Sequence, residues 1–143
     1  MYDEKLTRQS LPTEQYRILL GTAITVFSSN NSFIIENLLR IDHTKSWYDL
    51  IDKESGLIKE EVKEKLPSDI VDLFGEIVYK RNRIIHGYQV TYEDGEQILA
   101  TKVKSSGEQF YITEEYLLEF IKQNEKLSDL LNSFREKDRL SRS

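Results

Sequence analysis

Apolar residues recur at helical spacing over the first long stretch of the chain, where Leu20, Ala23, Ile24, Phe27, Ile34, Leu38 and Ile41 fall on one face. Pro12 lies outside this stretch and Thr13 is placed to cap it, so a helix is predicted from about Glu14 to Ile41. The polar run Ser28-Ser29-Asn30-Asn31-Ser32 interrupts the face. A helix that continues through it brings Asn30 and Asn31 close to the inward stripe, where amides need partners; a break would let Ser32 start a second helix. The continuous helix is the expectation.

Shorter helical patterns follow. One around Ser46 to Lys53 carries Trp47, Leu50 and Ile51, and one around Leu57 to Leu66 spaces Ile58, Val62 and Leu66 four apart. The charges between them, Lys59-Glu60-Glu61 and Lys63-Glu64-Lys65, read as a solvated face, with Glu61 and Lys65 placed to attract. Pro67 ends that segment and Ser68 or Asp69 can cap the next, whose face is Ile70, Phe74, Ile77, Val78 and Ile85 and which runs to about His86, with Gly87 as terminator.

After Gly87 the period changes from helical to alternating. Tyr88-Gln89-Val90-Thr91-Tyr92 reads as a strand, Asp94-Gly95 as a hairpin turn, Gln97 to Lys104 as a second strand, Ser105-Ser106-Gly107 as another turn, and Glu108 to Ile112 as a third strand. A last helix is predicted from Thr113, with Glu114 and Glu115 in its first turn and Leu117, Phe120, Ile121, Leu127, Leu131 and Phe134 inward. Residues from about Lys137 should fray. The expected fold is mainly α, a four-to-five-helix bundle with a small antiparallel hairpin or three-stranded insertion at about 88–112.

At 143 residues the chain fits one domain, 1–143, with enough length to bury a core. It has no cysteine, which excludes disulfides and thiolate metal ligands and fits a reducing compartment. No run approaches bilayer-spanning apolar length, and the acidic start Met1-Tyr2-Asp3-Glu4-Lys5 lacks a following apolar region, so a cytoplasmic protein without membrane association is expected. The net charge of −5 argues against coating nucleic acid by bulk electrostatics. Local basic patches remain: Lys80, Arg81 and Arg83; Lys102 and Lys104; and Arg135, Lys137, Arg139 and Arg142, diluted by Glu136 and Asp138. There is no phosphate loop or nucleophile elbow. His43 and His86 are far apart and the carboxylates lack calcium-loop spacing, so neither a metal nor a cofactor is expected.

The candidate chemistry is concentrated in Arg81-Asn82-Arg83-Ile84-Ile85-His86-Gly87-Tyr88. A cation that keeps its charge, beside a group that exchanges protons near neutrality, suits a phosphodiester. At roughly 100° per residue Arg81 falls in the middle of the apolar stripe, with Asn82 and His86 on its flank. A buried unpaired guanidinium is too costly to keep. Arg81 must therefore pair with an acid, snorkel to the surface, or line a wet cleft or interface.

Arg81-Asn82-x3-His86 resembles the signature of the HEPN superfamily, and Arg81-x4-His86-x-Tyr88 resembles the extended motif of HEPN toxins paired with a nucleotidyltransferase antitoxin. The resemblance implies a bundle of about four helices with the motif near the end of one of them, dimerised so that two motifs face each other. It also implies a metal-independent ribonuclease of a bacterial toxin–antitoxin or defence system. His86 would be general acid or base and Arg81 the phosphate clamp, while Asn82 would orient the imidazole or hold substrate, leaving a 2′,3′-cyclic phosphate. Lys80, Arg83, Lys102 and Lys104 would contact flanking RNA, and Tyr88 would be the modification site for the antitoxin. The hairpin after Tyr88 departs from that subgroup. The alternative is a non-catalytic HEPN-like domain that binds a partner, nucleotide or RNA, or serves as a dimerisation module.

Overall fold

The computed structural model describes residues 7–142, so the acidic start Met1-Tyr2-Asp3-Glu4-Lys5 and Ser143 lie outside the described residues. Two helices of 28 residues each, α1 (Glu14–Ile41) and α5 (Glu114–Ser141), lie side by side. Their contacts climb both helices in the same direction, from Phe27 against Phe120 to Asn30 against Asn124 and Arg40 against Arg142. They are therefore parallel, which the intervening chain makes possible. That chain holds α2 (Trp47–Ile51), α3 (Ser55–Val62), α4 (Ser68–Ile85), and strands β1 (Tyr88–Thr91), β2 (Gln97–Lys102) and β3 (Gln109–Ile112). α4 runs back antiparallel to α5, with Glu76 beside Gln123 and Lys80 beside Glu119.

α1 is continuous through the polar run. Asn30 is buried, and its amide donates to the Asn124 backbone carbonyl at 2.7 Å and to the Asn124 side-chain oxygen at 3.0 Å. Asn124 in turn donates to the Phe120 carbonyl at 2.9 Å. Asn30 thus finds its partners on α5, Asn31 accepts from the Ser55 hydroxyl of α3 at 3.4 Å, and the helix needs no break. Among the described residues α1 is also the one helix long and apolar enough to cross a membrane, by length and composition alone, with a mean hydropathy of 1.4 over an 18-residue window, contrary to the expectation that no run would reach that length. In this fold Ala23, Phe27, Ile34, Ile35 and Leu38 pack it into the core.

Several boundaries differ from expectation for identifiable reasons. α4 takes Pro67 as its cap residue with no side-chain capping bond, where Ser68 or Asp69 was expected. Near its end Ile84 is buried and Ile85 is 47 % exposed, because the core turns toward the sheet there. The helix continues past Lys137 to Ser141. The Glu136–Arg139 and Asp138–Arg142 pairs brace the last turn, and Arg142 donates to the Arg40 carbonyl at the end of α1. Lys65 pairs with Asp42 rather than with Glu61.

The sheet is antiparallel in the order β1-β2-β3, and its two turns place Gly95 and Gly107 at φ 85° and 74°, in the left-handed region glycine tolerates. It is fastened to the bundle by one phenol. Tyr16 is 1 % exposed; its hydroxyl donates to the Ile112 carbonyl at 2.6 Å and accepts from the Leu99 amide at 3.0 Å. Leu99 and Ile112 are register partners across β2 and β3, so the hydroxyl stands between the two backbone groups of one pair. Burial pushes the Tyr16 phenol above its ordinary pKa and keeps the donor proton in place. Tyr16→Phe should leave both backbone groups short of a partner and cost about 1–3 kcal/mol. Denaturant unfolding would read the loss, and amide exchange should rise first at Leu99.

Candidate functional site

The motif residues occupy the last turn and a half of α4, where the helix gives way to β1. His86 is the cap residue and its amide donates to the Asn82 carbonyl at 3.0 Å. Gly87 follows with ordinary φ, so its role is space rather than a left-handed turn. A Cβ there would meet the Ile84 carbonyl at 3.0 Å and the Ala100 carbonyl at 3.3 Å. A side chain there would require α4 or β2 to give by a few tenths of an ångström, which glycine avoids.

Arg81 lines a cleft of about 330 Å³ between α1, α4 and the α2–α3 junction. Its guanidinium lies 5.4 Å over the Phe27 ring and its Nη1 donates to Asn82 Oδ1 at 3.1 Å. Among the described residues it makes no ion pair. Of the three solutions open to an arginine on an apolar stripe, this chain uses the cleft. The same opening explains why Ile85, one turn on, is exposed.

Lys53 and Glu54 share the rim of that cleft. Lys53 is held by Glu61 at 2.9 Å, and Glu61 is also held by Lys45 at 2.8 Å. These two ammonium groups hold the Glu61 carboxyl down to about 2. Lys53 was not among the residues singled out from sequence. Its place beside Arg81 depends on the packing of α2 and α3 against α1, which no local pattern announces.

The structure brings Arg81 and Asn82 together but leaves His86 apart from them. His86 is exposed, and its imidazole has no hydrogen-bond partner among the described residues. Five residues at roughly 100° each place Arg81 and His86 about 140° apart around the helix. Asn82 bonds to the guanidinium, so here it positions Arg81 rather than the imidazole.

The four cations expected to meet RNA divide into two pairs. Lys80 pairs with Glu119 at 3.3 Å and lies 5.6 Å over the Tyr116 ring, and Arg83 donates to the Lys102 carbonyl while its guanidinium faces the Tyr79 ring at 5.9 Å. Arg83 therefore ties α4 to β2. Lys102 and Lys104 are exposed at the end of β2. Tyr88 is 42 % exposed and its hydroxyl donates to Gln109 Oε1 at 2.6 Å. Among the described residues, no three His, Asp or Glu side chains converge as a metal-binding group.

No protein-family model, no characterised protein and no solved structure matches this chain.

The Glu61 clamp carries a pH signature. A carboxyl whose folded pKa lies at about 2, below its ordinary 4.5, stabilises the fold at neutral pH, and that contribution fades as pH falls between those values. Chemical denaturation at pH 7 and at pH 2.5 should show a smaller acid-induced loss for Glu61→Gln than for the wild type. Equal losses would mean that Lys45 and Lys53 do not hold Glu61 in solution.

Proposed function

We propose that this chain is a HEPN-type, metal-independent RNA endonuclease with Arg81, Asn82 and His86 as its reacting and positioning groups. The observation that carries the proposal is Arg81 itself: a guanidinium half-buried over Phe27, braced by Asn82, and without a carboxylate partner among the described residues. Such a cation is oriented but not neutralised. An RNA phosphate supplies the missing charge, with two oxygens that match the guanidinium fork.

His86 is exposed at the helix end and free to reach a ribose. As base it takes the proton of the 2′-hydroxyl, whose oxygen attacks the adjacent phosphorus; the bond to the 5′-oxygen breaks and that oxygen leaves with a proton from an acid. The products are a 2′,3′-cyclic phosphate and a 5′-hydroxyl. Arg81 stabilises the charge that builds on the phosphoryl oxygens. Because Arg81 and His86 diverge around α4, a complete site needs a second copy, whose His86 approaches the phosphate held by Arg81 of the first. The active form is accordingly a homodimer. In a toxin–antitoxin setting the accessible Tyr88 would be the residue that a nucleotidyltransferase partner modifies.

RNA pools incubated with the protein in excess chelator should yield cyclic-phosphate ends, and His86→Ala should lower the rate by at least about a hundredfold while circular dichroism stays unchanged. Activity should also fall on dilution below the dimer dissociation range. A folded wild type that cuts no pool would favour a non-catalytic binding domain, to which the separation of Arg81 and His86 within one chain already lends weight.

A further inference from the structure

The polar run of α1 has members that the Asn30 contact does not account for. Ser28 and Asn31 line the Arg81 cleft, whereas Ser29, Asn30 and Ser32 line a second groove, of about 430 Å³, between α1 and α5. Arg135 lines that second groove from α5. Its guanidinium lies 5.1 Å over the Phe33 ring and its Nη2 donates to Asn132 Oδ1 at 2.9 Å. Arg81 has the same setting on Phe27 and Asn82, so the chain builds one arrangement twice, with the serine run between.

We propose that this run is the crossing point of a single-stranded RNA backbone, with one phosphate at Arg81 and a further one at Arg135. Arg135 makes no ion pair among the described residues. The acids that dilute its basic patch in sequence are engaged elsewhere, Glu136 by Arg139 and Asp138 by Arg142. Between Arg17 and Glu36 α1 carries no charged residue, so nothing on the helix along the crossing competes for either guanidinium or repels a phosphate. The Ser28, Ser29 and Ser32 hydroxyls make no hydrogen bond among the described residues, unlike Thr25, whose hydroxyl donates to the Gly21 carbonyl at 2.8 Å. They remain as donors to phosphate oxygens.

Spacing and charge select the occupant. Phe27 and Phe33 are six residues apart, about 9 Å along the helix axis, so the arginines stacked on them hold different phosphates of one strand rather than a single phosphate. To pass from one groove to the other the backbone must bend over α1, which a flexible strand does and a stiff duplex does not. Glu36 is the one acid lining the Arg135 groove, one turn beyond Ser32. It opposes an anion there and marks the end of the track. A lone carboxylate would satisfy one guanidinium only; a ligand with repeated anions satisfies both.

The track rests on the proposed function for its choice of RNA, so binding and cleavage are measured separately. Fluorescence anisotropy with a labelled single strand of about a dozen nucleotides would compare the His86→Ala protein with the same protein carrying Arg135→Gln, Glu36→Gln or Lys126→Gln. Arg135→Gln should weaken binding at least about fivefold at low salt and flatten the slope of log affinity against log salt by about 0.7, the share of one single-strand phosphate contact. Glu36→Gln should tighten binding. Lys126 is exposed on α5, about 180° around the helix from Arg135, and its loss removes the same charge without either effect. An abasic strand of equal length should bind within about threefold of the intact one, because the contacts are to the backbone. An Arg135→Gln effect no larger than that of Lys126→Gln, an abasic strand that fails to bind, or no binding of RNA at all would overturn the track. An Arg135 effect without cleavage by the wild type would retain the track and remove the nuclease; cleavage without an Arg135 effect would do the reverse.

Discussion

The Tyr16 hydroxyl is the point on which helices and sheet agree. It stands between the Leu99 amide and the Ile112 carbonyl, donating to one strand and accepting from the other, and it is carried by the first turn of α1. The Thr13 side chain caps that turn by accepting from the Tyr16 amide at 3.2 Å, and Thr113 caps α5 in the same way through Tyr116. The two long helices therefore start beside the same sheet, and their parallel course follows from a shared origin. Those two strand groups keep their bonds to the phenol only while α1 stays in place, which couples the sheet to the bundle.

Further along, the Asn30–Asn124 contact fixes how α1 and α5 are aligned. Apolar packing between Phe27, Phe74 and Phe120 supplies the burial, but aromatic rings tolerate small slides. A buried amide does not. Shifting one helix by a turn would strip Asn30 of both acceptors in a dry environment, at a cost typical of unsatisfied polar groups. The polar interruption in an otherwise apolar face thus sets the relative height of Arg40 and Arg142 at the far end.

Much of this frame is legible in the sequence because it is written in local patterns. Period 3.6 marks α1, α4 and α5, alternation marks the strands, and Gly95 and Gly107 mark the turns. What is not legible is tertiary. Ile85 satisfies the helical period but lies over a cleft rather than a neighbour, and Glu61 reaches back to Lys45 and Lys53 instead of forward to Lys65. For the candidate site, the motif pointed to Arg81, Asn82 and His86 by spacing. Lys53 arrives from another helix pair, and Arg83 is taken up in joining α4 to β2.

Gly87 sets how closely these parts approach. A Cβ there would stand 3.0 Å from the Ile84 carbonyl and 3.3 Å from the Ala100 carbonyl, so an alanine at this position would require the last turn of α4 or the central strand to give by a few tenths of an ångström. The gap between the helix end and the sheet is therefore set by one missing methyl group, immediately after His86.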